Sequence, residues 1–213
     1  MSSPLHLTQR DRALLQALVQ KVRLFSQRQI ADHWWNGELA NGRRRLRRLA
    51  DRGLVRRITV LARTIPTLES PLATWQPGNA SPDFGQVAYR CQVRWRLRPA
   101  RTCTAWLATE VASQAFGGVA RGELKNPTQA THDLGVAAVW LRLDQVAPQW
   151  ASAWRGEDLL AHTRRGEKLP DAFIVAEGNQ VVWVIEFGGG YDAERVAAFH
   201  QDCAHRQLSY QLW

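Results

Sequence analysis

The chain has 213 residues, of which 45% are hydrophobic and 22% charged, a composition typical of folded globular domains rather than disordered ones. It contains no run of about 18 apolar residues, which excludes a membrane-spanning helix, so we predict a cytoplasmic protein without a membrane partner. The net charge of +9 is concentrated in residues 1–64, which hold 14 Lys and Arg against 4 Asp and Glu (+10), whereas residues 65–213 hold 14 against 15 (−1). A basic module joined to a nearly neutral one favours nucleic acid as the partner.

The chain begins with two predicted helices. Thr8 is a favourable N-cap, and apolar residues then recur at helical spacing to about Lys21. A second helix is predicted to begin at Ser26, because SQRQ is a capping box in which Gln29 can bond back to the cap amide. Asn36-Gly37 ends this second helix.

A third helix and a strand complete the first third. Asn41 is predicted to cap the helix, and Gly53 follows its end as a C′ glycine. Residues 54–64 then have the pattern of a strand that leads into a turn. Three helices followed by a hairpin predict a winged helix-turn-helix domain over residues 1–64.

The segment GRRRLRRLADRGLVRR, residues 42–57, holds eight arginines. Like charges at helical spacing repel each other, so this charge needs an opposite charge outside the chain. The buried stripe of the predicted third helix contains Leu46 and Leu49. Four arginines lie together on the opposite face: Arg43, Arg44, Arg47 and Arg48. A solvated basic face is the alternative, but these arginines lack the alternating acids of such a face, and arginine serves both phosphate and guanine contacts in a DNA major groove.

Beyond this helix, Arg56 and Arg57 are predicted to add phosphate contacts from the wing. Residues 65–101 are predicted to be a long wing or linker, with a strand at 89–98 whose arginines occupy one face. That strand is either an extension of the phosphate-contacting surface or an edge strand protected by charge. Trp34 and Trp35, at the end of the second predicted helix, could flank the DNA.

The C-terminal half, residues 102–213, predicts a layered α/β domain. A helix is predicted at 102–116, and a second one is predicted over 132–143 with Thr131 as its cap. Strands 170–177 and 180–187 form a hairpin with a two-residue turn, and both are apolar on both faces. Asp192 then caps a helix to about His205, and the chain continues into a last strand.

The predicted hairpin register places Asp171 opposite Glu186. Cross-strand partners hold their Cβ atoms about 4.5–5.5 Å apart, and two like charges at that distance destabilise a sheet. The pair therefore needs a cation, a shared proton or nearby water. A divalent metal would satisfy both carboxylates, and a metal site combined with DNA indicates nuclease-type chemistry.

The PDAF and VVWVIEF segments resemble the core of the PD-(D/E)XK nuclease-like fold, which carries an aspartate after a proline on one strand and acid-x-lysine on the next. The whole chain, over roughly residues 7 to 190, resembles the replication-relaxation family of plasmid and mobile-element proteins. The motifs that carry the resemblance are, in order, LTQRDRALLQAL, GRRRLRRLADRGLVRR, HDLGVAAV, LPDAF and VIEFGGGY. It implies a winged-helix DNA-binding domain followed by a nuclease-like domain, with a role in plasmid replication, mobilisation or its control.

The resemblance also implies a ligand set for Mg²⁺ or Mn²⁺. Asp171 and Glu186 stand where the nuclease pattern has its metal-binding acids, and His132 and Asp133 stand where the first helix would offer further polar ligands. Structural interpretations stay open for three of these residues. His132 and Asp133 could be first-turn residues, with Asp133 favoured by the helix dipole, and Asp171 could be held by backbone amides. Glu186 is harder to explain in this way, because an acid inside an apolar run is costly.

One position departs from the nuclease pattern. Gly188 stands where the pattern has the lysine that helps to position and activate the attacking water. Lys168 and Arg195 are the two basic residues that could take its place. The missing lysine favours a domain that has lost cleavage.

These observations predict an α+β/α/β two-domain protein that binds double-stranded DNA with sequence preference. As a regulator or replication accessory it would use the arginines of the third helix and carry a degenerate nuclease-like domain. The alternative is a metal-dependent endonuclease or nickase in which Asp171 and Glu186 hold Mg²⁺. A third interpretation is a homodimer in which the second domain serves oligomerisation and two winged helices bind a palindrome.

Overall fold

The computed structural model describes residues 6–120, 122, 124, 129–157 and 169–213. The helices of these residues are α1 (Gln9–Gln16), α2 (Gln27–Trp34), α3 (Leu39–Ala50), α4 (Phe84–Val93), α5 (Glu110–Phe116), α6 (Gln129–Val146), α7 (Pro148–Ala153) and α8 (Ala193–His205). The strands are β1 (Leu24–Ser26), β2 (Val55–Arg63), β3 (Ala73–Trp75), β4 (Ala100–Ala108), β5 (Trp154–Gly156), β6 (Ala172–Val175), β7 (Val181–Glu186) and β8 (Tyr210–Leu212).

The chain folds into two compact units, a mixed α/β arrangement. The described residues of Met1–Ala62 and Arg101–Ala137 form the first unit, and those of Arg63–Ala100 and Ala138–Trp213 form the second. This division differs from the predicted ranges 1–64, 65–101 and 102–213, because the described residues of 101–137 fold with the N-terminal helices. Among the described residues, no helix is both long and apolar enough to cross a membrane.

The first two helices begin where the sequence predicts. Thr8 accepts the backbone N–H of Asp11 while the Asp11 carboxylate accepts that of Thr8, which makes α1 a complete capping box. Ser26 and Gln29 form the same arrangement at the start of α2. The helix of α1 continues as a π-helical segment over Ala17–Lys21, close to its predicted end.

The end of α3 is confirmed, but its predicted cap is wrong. Gly53 has φ +67° and its N–H donates to the Ala50 carbonyl, as expected of a C′ glycine. At the other end, Glu38 is the N-cap and makes no side-chain cap hydrogen bond. Asn41 lies inside the first turn, where its side-chain oxygen accepts a hydrogen bond from Arg44 Nη2 at 2.7 Å.

The first unit contains a three-stranded sheet with the order β1-β4-β2. Its central strand, β4, corrects the helix predicted over 102–116, of which only the second half is helical. Ala105, Trp106 and Leu107 are buried in the middle of the sheet, so their apolar run is a strand. Thr109 then caps α5 through the N–H of Ala112, and Gly117 follows the helix with φ +67°.

The second unit contains a five-stranded sheet with the order β3-β8-β7-β6-β5. Strand β8 runs parallel to β7, and the other neighbouring strands are antiparallel. Cys91 of α4 and Phe199 of α8 belong to one buried cluster with Phe173 and Tyr210 of the sheet. The predicted order of helix, hairpin, helix and last strand is confirmed by α6, β6–β7, α8 and β8, whereas α7 and β5 have no counterpart in the prediction.

The structure contradicts the predicted wing and its basic strand. Residues 73–75 form β3, which pairs with β8, so this part of 65–101 is a strand of the second sheet. The strand predicted at 89–98 is the second half of α4 and the turn that follows. Asp83 caps this helix through the N–H of Gln86, and its buried residues are Val87, Ala88 and Cys91. The alternation of arginines was coincidental, because burial here follows the helical period.

The hairpin keeps its predicted register at one end only. A 3₁₀ turn over Glu177–Asn179 replaces the predicted two-residue turn, and the register shifts between Ile174 and Val175. Beyond this irregularity Ala172 pairs with Ile185, which is the predicted register. Burial on both faces holds for the last three residues of β7, whereas its first three are exposed or half-buried.

Helix α6 also differs from its prediction. It begins at Gln129, two residues before the predicted cap Thr131, which therefore lies within the helix. Helix α8 agrees with its prediction, since Asp192 caps it and His205 ends it.

Candidate nucleic-acid interface and acid pair

The four arginines that the sequence places on one face of α3 are exposed. We call Arg43, Arg44, Arg47 and Arg48 the α3 arginines. Leu46 and Leu49 on the opposite face are fully buried, which orients the helix. Among the described residues, no acidic side chain forms an ion pair with any of the α3 arginines. Within the part of the chain that the structure describes, the surface of α3 therefore carries an uncompensated positive charge.

The fifth arginine of α3 has a different role, which the sequence analysis missed. Arg45 turns toward α1, where its Nε and Nη2 atoms donate to the two carboxylate oxygens of Asp11 at 2.9 and 2.5 Å. Its Nη2 atom also donates to the His6 carbonyl at 2.8 Å. The Asp11 side chain is 1% exposed and that of Arg45 is 17% exposed, so this is a buried bidentate ion pair.

The electrostatics of Asp11 follow from this arrangement. Burial alone raises the pKa of Asp11, but hydrogen bonds from Arg45 and Thr8 outweigh it and leave the pKa below its usual value. Because Asp11 also closes the capping box of α1, one carboxylate joins α1 to α3. The only hint in the sequence was the position of Arg45 between the buried and exposed faces.

The two arginines that the sequence analysis assigns to a wing lie on β2. Arg56 and Arg57 are both exposed. Arg57 Nη2 donates to Thr104 Oγ1 of β4 at 3.4 Å, a long hydrogen bond that leaves most of the guanidinium on the surface.

The two predicted acids face each other at the ends of β6 and β7. Glu186 Oε2 accepts the backbone N–H of Asp171 at 3.1 Å, and Asp171 Oδ2 accepts the backbone N–H of Phe187 at 2.7 Å. Each carboxylate thus accepts the main-chain donor of the opposite strand. Glu186 is buried, at 6% exposure, and Asp171 is half-buried. The predicted juxtaposition is therefore present in the structure.

A third side chain completes the surroundings of Glu186. The Tyr191 hydroxyl donates to Glu186 Oε1 in a short hydrogen bond. Burial, together with the Glu186 carboxylate, raises the pKa of Tyr191, so its hydroxyl stays protonated and continues to donate. The Arg195 guanidinium lies over the Tyr191 ring, 4.3 Å from its centroid. Arg195, which the sequence analysis names as a possible substitute for the missing lysine, contacts Tyr191, and Tyr191 in turn contacts Glu186.

His132 and Asp133 belong to a different structural unit from the acid pair. Both lie on the part of α6 that belongs to the first unit, whereas Asp171 and Glu186 belong to the second. Asp133 is in the second turn of α6, not the first, and forms an ion pair with Arg23 at 3.3 Å. This contact gives Asp133 a structural role in place of the predicted stabilisation by the helix dipole.

The residues present do not fit a resident Mg²⁺ or Mn²⁺ ion. Three of the four carboxylate oxygens of Asp171 and Glu186 accept hydrogen bonds from the protein. Among the described residues, no group of three or more His, Cys, Asp and Glu side chains is arranged to hold a metal. The hydrogen bonds themselves offset the cost of placing two acids at a strand end.

The structure also explains what occupies the position of the missing lysine. A Cβ atom at Gly188 would lie 3.0 Å from Cys91 Sγ and 3.3 Å from Leu212 Cδ2. Both of these side chains are fully buried in the core of the second unit. Gly188 therefore lies where α4 and β8 have closed over the space that a lysine would need. Lys168 lies outside the described residues.

We expect Gly188→Lys to destabilise the second unit by about 1–3 kcal/mol, because the added side chain overpacks this contact. It should not create Mg²⁺-dependent nicking of supercoiled plasmid. Gly190→Lys is the matched control, since a Cβ there meets nothing within 4 Å. Urea unfolding and agarose-gel nicking assays of both variants check this, and a Gly188→Lys protein that is as stable as Gly190→Lys and nicks DNA would contradict it.

Comparisons of the chain with protein-family models, curated proteins and solved structures found no match. The resemblance to the replication-relaxation family stays a prediction from its motifs.

Proposed function

We propose that this protein binds double-stranded DNA through the α3 arginines and is a regulator or replication accessory of a plasmid or mobile element. The observation that carries the proposal is the uncompensated charge on α3. All four arginines are exposed on a helix whose opposite face is buried, and a polyanion is the partner that such a surface complements.

The topology around α3 supports a winged helix-turn-helix class. The chain order of the first unit is α1, β1, α2, α3, β2 and then β4, and β4 lies between β1 and β2 in the sheet. In this class the third helix enters the major groove, where arginine reads guanine and contacts phosphate. Residues 64–99, between β2 and β4, belong to the second unit and do not form a wing.

For the second unit we propose a nuclease-like domain that does not cleave DNA. Its acids lie on neighbouring strands, as in the PD-(D/E)XK pattern that the sequence resembles. The hydrogen bonds from the Asp171 N–H to Glu186 and from the Phe187 N–H to Asp171 hold the ends of β6 and β7 together, and closed packing around Gly188 replaces the lysine. We interpret the acid pair as a structural remnant of that pattern.

The test of the DNA proposal is the double substitution Arg43→Gln/Arg47→Gln, with Arg12→Gln as a control. Arg12 is an exposed arginine of α1, so the control makes the same type of charge change outside α3. We expect the double variant to bind duplex DNA at least about tenfold more weakly, with a log–log salt slope reduced by about 2. Fluorescence anisotropy across a salt series measures both, and an unchanged slope would overturn the proposal.

A metal-dependent nuclease is the second candidate, favoured by the position of Asp171 opposite Glu186. Cleavage would require the two carboxylates to exchange their present hydrogen-bond donors for a metal ion. Nicking of supercoiled plasmid in Mg²⁺ or Mn²⁺ that is lost in Glu186→Ala would establish this candidate in place of the non-cleaving domain.

A further inference from the structure

The first unit contains a groove of about 950 Å³ between α1, the end of α2, and α3. Cavities of this volume are large enough for a nucleotide-sized ligand. The groove combines cationic and aromatic side chains. Its arginines outside the buried ion pair are Arg10, Arg44 and Arg48, and its aromatic residues are His33, Trp34 and Trp35.

The charge of the groove favours an anion. Asp11 is the one acidic residue among the described residues that line it, and this carboxylate is bound by Arg45. The guanidinium groups of Arg10, Arg44 and Arg48 form no ion pair with the described residues. Three cations from two helices thus line one groove, and no described acid compensates them. Guanidinium groups bind phosphate well.

The aromatic part of the groove is held in place by packing. Trp34 lies edge-on to Phe25 and to His33, with ring centroids 5.2 and 4.5 Å apart. Trp35 is 9% exposed, and the Arg10 guanidinium lies 5.3 Å from its ring centroid. Fixed indole rings beside guanidinium groups are the combination that recognises a base together with its phosphate.

We propose that this groove binds an unpaired nucleotide, whose phosphate contacts Arg10, Arg44 and Arg48 and whose base lies against the half-buried Trp34. The nucleotide is supplied either by the single-stranded end of a DNA strand or by a free mononucleotide. The groove proposal rests on the proposed function in one respect: Arg44 and Arg48 belong both to the groove and to the α3 arginines that are proposed to bind duplex DNA.

Two sets of residues make the groove separable from the duplex-binding surface. Arg43 and Arg47 lie on α3 but do not line the groove, whereas Arg10 lines the groove and belongs to α1. Arg10 is exposed, so we expect Arg10→Gln to fold as wild type does, which its melting temperature checks. Arg12→Gln, two residues along the same helix and outside the groove, is its matched control.

The experiment compares a blunt duplex with the same duplex carrying a short single-stranded overhang, by fluorescence anisotropy. We expect wild type and Arg12→Gln to bind the overhang DNA at least about fivefold more tightly than the blunt DNA. Arg10→Gln should lose this preference while binding blunt duplex as wild type does. Arg43→Gln/Arg47→Gln should bind both DNAs more weakly and keep the preference.

A calorimetric titration with dAMP distinguishes the two sources. An Arg10-dependent overhang preference identifies a DNA strand end as the occupant, and Arg10-dependent dAMP binding identifies a free nucleotide. If neither signal depends on Arg10, the groove proposal is overturned, even where duplex binding by the α3 arginines persists. If dAMP binds but no protein binds duplex DNA, the groove stands and the DNA-binding proposal fails.

Discussion

Replacing Arg45 by methionine should lower the free energy of unfolding of the first unit by about 3 kcal/mol. Methionine keeps most of the aliphatic volume but removes both hydrogen bonds to Asp11, whose side chain is 1% exposed. An uncompensated buried carboxylate costs about 3–5 kcal/mol, and the partial exposure of Arg45 favours the lower end. Hydrogen exchange of the α1 and α3 amides, followed in urea, reports on the first unit alone.

Arg44→Met is the control for this prediction. Arg44 is the preceding residue of the same helix, but it is exposed and its described contact is with Asn41, one turn earlier. We expect the free energy of unfolding of Arg44→Met to stay within about 0.5 kcal/mol of wild type, whereas the affinity of this variant for duplex DNA falls. Equal stabilities of the two variants would show that the Asp11–Arg45 pair contributes little to the fold.

The stability difference between wild type and Arg45→Met should depend on pH in one direction. The pKa of Asp11 is lower in the folded protein than in the unfolded chain. The stabilisation that its carboxylate provides is therefore fully present above the pKa that Asp11 has in the unfolded chain. It is lost as the pH falls through the lower pKa of the folded state. The difference between the two proteins should therefore narrow below about pH 4 and be constant near neutrality.

Local signals in the sequence predicted local structure well. The N-cap at Thr8 and the capping box at Ser26 are confirmed, because all their partners lie within three residues. The strand predicted at 89–98 is wrong, because its arginines alternate with the period of a strand although residues up to Val93 are helical. Only the tertiary environment, in which Cys91 faces the core of the second unit, selects the helix.

The acid pair could be predicted, and its surroundings could not. The turn of the hairpin differs from the predicted one, but the irregularity at Ile174/Val175 restores the register before Asp171. The Tyr191 hydroxyl and the packing of Cys91 against Gly188 depend on side chains whose positions a strand pattern does not define. The same holds for Arg45, whose partner Asp11 is 34 residues away in the chain.

Replacing Glu186 by alanine should destabilise the second unit by about 3 kcal/mol, with or without Mg²⁺. The substitution removes the acceptor of two donors, the Asp171 N–H and the Tyr191 hydroxyl, and each unsatisfied buried donor costs about 1–3 kcal/mol. Glu177→Ala is the control, because Glu177 is an exposed acid in the turn of the same hairpin and should change stability by less than about 0.5 kcal/mol. Urea unfolding of the three proteins measures the difference.

Thermal unfolding in Mg²⁺ separates a structural acid pair from a metal site. An ion that binds only the folded protein raises its melting temperature as its concentration exceeds the dissociation constant. If the carboxylates only hold the ends of β6 and β7 together, as their hydrogen bonds indicate, Mg²⁺ should change the melting temperatures of wild type and Glu186→Ala equally. A Mg²⁺-dependent rise in melting temperature confined to wild type would mean that the ion displaces the Tyr191 and backbone donors, and the acid pair would then have kept the chemistry that its sequence pattern resembles.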